Sequence, residues 1–170
     1  DVYKRQVYAR GIERFAQDCA ASGISGMIVP DLPPEEAGPL REASARYGVD
    51  LIFLAAPNTP PERLRMIQEM TSGFLYLVAR PGVTGARSEL LDVTRRLIER
   101  VPQGIPKAVG FGISTPDQAA EVIRAGADAA IVGSACVDLI ARGEIEGLEA
   151  LVREMKEAVV GARGKPPIVC

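Results

Sequence analysis

Short apolar runs recur along the chain at intervals of about 25 residues, and a glycine stands directly before each of them. Each run is apolar at nearly every position, which is typical of a parallel strand that is buried on both faces. The runs therefore predict five strands, at residues 24–30, 49–56, 74–78, 105–110 and 127–132.

The segments between the runs are amphipathic and predict helices. Prolines and acidic residues open them, as expected at helix starts, and the glycine before the next run suits the left-handed residue that ends a helix. In the last segment Ser114 and Thr115 are candidate caps, with Pro116 in the first turn. The predicted helices cover residues 11–22, 34–47, 60–70, 88–100 and 114–126.

This alternation of strand and helix predicts βα units with parallel strands. We expect one domain at residues 7–160, with loose ends at 1–6 and 163–170. Two sheet arrangements fit the pattern, an open doubly wound sheet and a closed β/α barrel. A complete barrel typically takes eight units, and five are visible, so a barrel would be partial.

Composition narrows the classes of function. The net charge is −2 and no basic block occurs, so neither nucleic acid nor an anionic membrane is an expected partner. No apolar run is long enough to span a bilayer. The three cysteines are an odd number without the spacing of zinc ligands, which predicts free thiols, a cytoplasmic location and no metal site. The chain has no histidine, so catalysis by imidazole is excluded.

Glycine-rich turns follow the last three predicted strands. Because parallel strands end at one edge of the sheet, residues there are candidates for a site. Turns around Gly85, Gly112 and Gly133–Ser134 expose backbone N–H groups near helix starts, and such turns bind phosphate. The alternative is that the glycines only allow tight βα turns.

Other candidates each have a structural alternative. The loop around Thr84 could close over a ligand or be a surface connection. Tyr76 and Phe111 could face a substrate, although a place in the core is favoured from the residues alone. Asp31 is the best placed acid or base, but a helix or turn cap before Pro33 is favoured. Ser134 has no base beside it, so it is predicted to cap a helix or to bind phosphate.

Four motifs occur in a specific order and spacing: PDLPPEE at 30–36, GVTGAR at 82–87, GFGIS at 110–114 and VGSA at 132–135. Through them the chain resembles the tryptophan synthase alpha subunit family, from about Val7 to about Val160. The resemblance implies a partial (β/α)8 TIM barrel of parallel strands alternating with helices, made of about strands 4–8.

The resemblance also implies a function. The family is a lyase of tryptophan biosynthesis that cleaves indole-3-glycerol phosphate to indole and glyceraldehyde 3-phosphate by a retro-aldol reaction. Indole then passes to a beta subunit in a heterotetramer. Pyridoxal phosphate is expected only in that partner, and no cofactor is expected in this chain.

Roles carry over to individual positions by the same resemblance. The phosphate is expected on the backbones of Gly85, Gly112, Gly133 and Ser134, with help from the Ser134 hydroxyl. The indole pocket is expected to include Tyr76, Phe111 and Ile131, which overrides the core placement of the two aromatic residues. Thr84 is expected in the closing loop, and Asp31 and Pro33 near the contact with the beta subunit.

The chain departs from the family in one respect. The family's catalytic glutamate and aspartate lie upstream of the matched stretch, so no catalytic residue is expected within this chain. We expect a fragment that binds substrate without turnover. A partial barrel also leaves unpaired sheet edges and exposed apolar faces, which predicts self-association.

Two other functions stay open. Other phosphate-binding barrel enzymes, such as epimerases or thiamin-phosphate-type synthases, share the glycine turns of the last two units. The pairing of GVTGAR with PDLPPEE argues against them. A non-catalytic module that only docks on a beta subunit is the third possibility, and it would raise that subunit's activity without cleaving substrate.

Overall fold

A computed structural model describes residues 2–78, 87–110 and 112–163 of the chain. The chain divides into two compact units, of which the first consists of residues 1–76 with 103–105. The second consists of residues 77–102 with 106–170. The sequence predicted a single domain over 7–160, because the βα pattern continues without a linker from one unit into the next.

The first unit opens with two helices and then alternates strands and helices. Its elements are α1 (Val2–Arg10), α2 (Ile12–Ala21), β1 (Gly26–Ile28), α3 (Gly38–Arg46), β2 (Asp50–Ile52), β3 (Leu54–Ala55) and α4 (Pro61–Met70). One turn of 3-10 helix, Pro34–Glu36, precedes α3. Strand β4 (Leu75–Val78) begins in this unit and ends in the second.

Strands β1 and β2 are parallel neighbours, with Gly26 opposite Asp50 and Ile28 opposite Ile52. Gly26 permits this close pairing, since a Cβ there would lie 2.8 Å from Cδ1 of Ile52. Helix α2 packs on α3 beside them. The core of the unit is apolar and fully buried at residues that include Ala16, Leu40, Ala43, Leu51 and Leu64.

The second unit continues the same alternation. Its elements are α5 (Arg87–Arg100), β5 (Lys107–Gly110), α6 (Pro116–Arg124), β6 (Ala129–Ala130), α7 (Ser134–Ala141) and α8 (Ile145–Arg163). Helix α8 packs along α6, and α7 packs on α8. Leu97, Val109, Ile123 and Met155 are among the buried residues of this unit.

All five predicted runs contain a strand, but the run 49–56 contains two. Strand β2 ends at Ile52 beside β1, whereas β3 lies beside β4, where the Tyr76 N–H donates to the Phe53 carbonyl at 3.0 Å. The break at Phe53 is a change of partner strand. An apolar run reads the same before and after such a change, so the sequence pattern could not locate it.

Two helical predictions also differ from the structure. The predicted helix 34–47 is divided into the 3-10 turn and α3. Pro39 lies in the first turn of α3, where its missing N–H costs nothing, whereas it could not continue a helix from Pro34. Residues 2–6, predicted as part of a loose end, lie in α1. At the other end Arg163 closes α8, and residues 164–170 are outside the described residues.

Candidate functional site

Strands β5 and β6 bring two glycine turns to one edge of the sheet. They are parallel, with Ala108 opposite Ala129 and Val109 opposite Ala130. The Ile131 N–H extends the ladder by donating to the Val109 carbonyl at 2.7 Å. Because the strands run in the same direction and in register, the turns that begin after Gly110 and after Ile131 leave from the same edge.

The turn after β5 depends on Gly112. Its φ of +81° lies in the left-handed region, which glycine enters without the strain that a Cβ imposes. Gly112 is exposed, while Ile113 beside it is buried at 5% exposure and anchors the turn. The backbone of Gly112 is therefore accessible, while the buried Ile113 holds the turn in place.

The start of α6, which follows this turn, is capped by its own side chains. Oγ1 of Thr115 accepts from the Gln118 N–H at 3.4 Å, and Oε1 of Gln118 accepts from the Thr115 N–H at 3.1 Å. This reciprocal pair is a capping box. Gln118 Oε1 also accepts from the Ser114 N–H at 2.8 Å and from the Ser114 hydroxyl at 3.2 Å. The predicted hydroxyl cap is thus confirmed at Thr115, with Pro116 in the first turn.

The start of α7, which follows β6, is open. Gly133 is its N-cap residue, and no side chain caps the helix. The Gly133 carbonyl accepts from the N–H groups of Cys136 and Val137, both at 3.0 Å. The N–H groups of Ser134 and Ala135 belong to the first turn, where intrahelical partners are lacking. Gly133 and Ser134 are exposed and the first turn contains no acidic residue, so this helix start suits an anion.

Two residues of the expected indole pocket are described, one in each unit. Ile131 follows β6 and is half-buried. Tyr76 lies in β4 and is also half-buried, and burial raises the pKa of its phenol. The remaining predicted site residues, Thr84, Gly85 and Phe111, lie outside the described residues.

Asp31 caps a helix. Both of its carboxylate oxygens accept from the backbone N–H of Lys4, at 3.0 Å each, in the first turn of α1. Desolvation acts to raise the pKa of Asp31, but the hydrogen bonds from the N–H groups of Lys4 and of Asp31 itself hold it below its usual value. Lys4 also forms an ion pair with Glu36. The half-buried Pro33 begins the 3-10 turn that carries this glutamate.

Two features of these sites were missing from the sequence predictions. The role of Gln118 was missed, although the spacing of Thr115 and Gln118 is the Ser/Thr-x-x-Glu/Gln signature of a capping box. The partner of Asp31 was also missed. Lys4 is 27 residues away along the chain, and no local pattern indicates the contact.

The part of the chain that the structure describes contains neither a candidate metal site nor a helix that could span a membrane. Within it, no cluster of three or more His, Cys, Asp or Glu residues could hold a metal ion. None of the described helices combines the length and the apolar character needed to cross a membrane. Cys19 and Cys136 are free thiols, and the first is buried.

Comparison with known proteins identifies relatives over nearly the whole chain. The sequence model of the tryptophan synthase alpha chain family matches residues 2–163. The tryptophan synthase alpha chain of Methanosarcina acetivorans is 53% identical over 162 residues, covering 94% of this chain and 60% of that relative. The one from Gloeobacter violaceus is 49% identical, covering 92% and 59%. The chain thus spans about three fifths of the length of these curated relatives.

Solved structures give the same result for the fold. A chain of the tryptophan synthase α2β2 complex from Pyrococcus furiosus matches with a TM-score of 0.78 and 39% identity, over 94% of this chain and 64% of that one. Mycobacterium tuberculosis tryptophan synthase matches with a TM-score of 0.76 and 42% identity, over 90% and 58%. The predicted partial β/α barrel, with parallel strands alternating with helices, is confirmed by these likenesses.

Proposed function

The chain belongs to the tryptophan synthase alpha chain family, and from that premise we propose that it serves the family's lyase reaction in tryptophan biosynthesis. In that reaction the bond between the indole ring and the glycerol phosphate side chain of indole-3-glycerol phosphate breaks. The products are indole and glyceraldehyde 3-phosphate. This chain contributes the part of the site that holds the phosphate.

The observation that carries this proposal is the pair of turns at the ends of β5 and β6. Gly112 and Gly133 are exposed, and the turns that contain them leave the same sheet edge. The open start of α7 adds the N–H groups of its first turn and the Ser134 hydroxyl. A phosphate carries up to two negative charges, and it gains most from such a cluster of backbone donors at a helix N-terminus.

The rest of the binding site remains part of the proposal. Gly85 adds a further backbone donor to the phosphate, and Thr84 belongs to a loop that closes over the substrate. Tyr76, Phe111 and Ile131 line the indole pocket, where aromatic and branched apolar side chains match the flat ring. The half-burial of Tyr76 and Ile131 supports this assignment, since each keeps an accessible surface.

Proton transfer is assigned to carboxylates outside the matched stretch. Cleavage requires a base that takes the indole N–H proton and an acid that protonates the ring carbon released from the side chain. Asp31 is engaged with Lys4 as a helix cap, which leaves it poorly suited to exchange protons with a substrate. The chain by itself therefore binds phosphate without catalysing cleavage.

The proposed partner is a tryptophan synthase beta subunit, in a heterotetramer like the Pyrococcus furiosus α2β2 complex. Asp31 and Pro33 lie at the proposed contact, on the loop after β1. Pyridoxal phosphate belongs to that partner, and this chain holds no cofactor. We place the protein in the cytoplasm, where the free thiols of Cys19 and Cys136 would stay reduced.

Substitution of Gly133 by alanine tests the phosphate site. A Cβ at Gly133 meets no atom within 4 Å and φ is −125°, so Gly133→Ala should fold, while its methyl group occupies the approach to the α7 N-terminus. We expect binding of glycerol 3-phosphate, measured by isothermal titration calorimetry, to weaken by about tenfold or more, the loss of one good charge-assisted hydrogen bond.

Gly161→Ala in α8 is the matched control. Its Cβ also meets nothing within 4 Å, and alanine favours the helix, so binding should stay as in the unaltered chain. Equal affinities of the Gly133→Ala and Gly161→Ala variants would reject the phosphate site proposed at this turn.

A further inference from the structure

Gln118 forms more hydrogen bonds at the candidate site than any single capping function requires. Its side-chain oxygen accepts from the N–H groups of Ser114 and Thr115 and from the Ser114 hydroxyl, at 2.8, 3.1 and 3.2 Å. A capping box needs only the bond to Thr115. The two additional bonds, both from Ser114, tie the residue that follows Ile113 to the first turn of α6.

These bonds have two consequences for an anion at this edge. They occupy the N–H groups of Ser114 and Thr115 directly before α6, whereas the start of α7 has no side-chain cap. They also fix Ser114 against the helix, which limits the freedom of the turn in which Gly112 holds its positive φ.

The neutrality of Gln118 is a separate observation. A capping box accepts glutamate as readily as glutamine at this position, so capping alone does not select the amide. Asp117 already places one exposed carboxylate in the first turn of α6. A glutamate at position 118 would add a second carboxylate. Because this side chain accepts a hydrogen bond from Ser114, its charge would lie beside a residue only two positions after Gly112.

We propose that Gln118 is a positioning residue of the phosphate site, which holds the Gly112 turn through Ser114 and stays neutral so that it does not repel the phosphate. The proposal rests on the phosphate site put forward above and goes beyond it. It assigns a role to a residue that does not touch the substrate, and it explains why an amide stands where a carboxylate would cap equally well.

Two substitutions in the 170-residue chain separate the parts of this role. Gln118→Glu keeps every acceptor and adds a charge. We expect its thermal midpoint without ligand to equal or exceed that of the unaltered chain, while the Kd for inorganic phosphate rises about fivefold at low ionic strength. This loss should shrink when salt is added, a response that a purely structural role would not give.

Gln118→Ala removes the acceptors without adding charge. We expect a lower thermal midpoint and a Kd that rises by about fivefold as well, with no added dependence on salt. Gln17→Glu, an exposed position on α2 in the first unit, is the control for the same change of charge elsewhere, and its Kd should be unaltered.

The outcomes separate this inference from the proposed function. If the unaltered chain does not bind phosphate, the proposed phosphate site is wrong, and the role proposed for Gln118 is wrong as well. If the unaltered chain binds phosphate and either Gln118 variant binds it equally well, only the role proposed for Gln118 is overturned.

Discussion

The loop after β1 and the turns after β5 and β6 occupy equivalent places in their βα units, but they are built differently. In the loop, the charged side chains have partners within the protein: Asp31 accepts from the backbone N–H of Lys4, the Lys4 side chain pairs with Glu36, and Glu35 pairs with Arg63. In the turns after β5 and β6, exposed glycines leave the backbone accessible.

The difference shows which features at the end of a strand favour a ligand-binding site. A carboxylate whose charged form is stabilised by hydrogen bonds from the protein has a lowered pKa and is a weaker base, whatever its position in the fold. A glycine turn next to a helix start without a side-chain cap has N–H groups that solvent or a ligand can satisfy. We therefore place the proposed phosphate site at the accessible donors after β6, rather than at the charges after β1.

Turnover is the largest expected difference between the two regions. If the Asp31 loop is structural, the chain should release no indole from indole-3-glycerol phosphate above background, with or without an added beta subunit. A continuous assay of indole formation measures this. Clear release that disappears in Asp31→Asn would mean that this loop is catalytic and that the comparison is wrong.

Gly112→Ala tests the open turn through its backbone conformation. A φ of +81° costs an alanine about 1–2 kcal/mol, so the turn should distort and the Kd for phosphate should rise by about tenfold. Gly143→Ala is the control, because Gly143 has a φ of +71° with nothing within 4 Å of a Cβ. It should lose similar stability in thermal unfolding while its Kd stays unchanged. A Kd that rises equally in both variants would contradict a local role for Gly112.

Exposed apolar side chains predict self-association, which would complicate every binding measurement on the second unit. On α8, Ile145 and Val152 are 54% and 53% exposed and lie seven residues apart, on one face. We expect oligomers in sedimentation velocity at micromolar concentrations, and a dissociation constant about tenfold weaker in the double variant Ile145→Lys, Val152→Lys. Ala150→Lys, also exposed, should not change it. A monodisperse monomer with cooperative unfolding would reject the prediction.

The sequence located the strands because each is an apolar run bounded by turn residues, a signal that depends on a few neighbouring positions. It did not locate the break at Phe53, because both halves of the run are equally apolar and the change of partner is a long-range event. It also missed α1, in which Val7 is buried while Tyr3 and Tyr8 are exposed, so that no continuous apolar stripe marks a helix.

The candidate site was predictable to the extent that it depends on backbone. Glycine motifs predicted the turns at Gly112 and Gly133, and their place at one edge follows from parallel strands. The state of each helix start was not predictable in the same way. Whether a start is open depends on which side chain reaches it, and for Asp31 that partner lies in a distant part of the sequence.

Asp31→Ala should affect only the first unit. Loss of the carboxylate leaves the N–H of Lys4 without its cap, so the amides in the first turn of α1 should exchange faster with solvent. Phosphate affinity should stay within about twofold of the unaltered chain. Asp18→Ala, which removes an exposed ion pair with Arg10, is the control and should change exchange very little. Weaker phosphate binding in Asp31→Ala alone would contradict the separation of the two regions.

The smallest expected effect is the pH dependence that Asp31 gives to stability. Its pKa is lower in the folded chain than the ordinary value of 3.8, so the folded state binds this proton less tightly than the unfolded state. The stabilisation is therefore complete above about pH 4 and is lost as pH falls through the folded pKa. Urea unfolding of the unaltered chain and of Asp31→Asn at pH 7 and near pH 2 measures this.

The two proteins should differ in free energy of unfolding at pH 7 and converge near pH 2, where a protonated aspartate and its asparagine replacement offer Lys4 similar neutral acceptors. The pKa of Glu35 is also lowered, by a hydrogen bond from its own N–H and by Arg63. Glu35 is present in both proteins, so its contribution to the pH dependence cancels in the difference between them. A difference that persists unchanged at pH 2 would mean that the carboxylate charge is not what holds α1, and that the loop after β1 is less fully satisfied than its hydrogen bonds indicate.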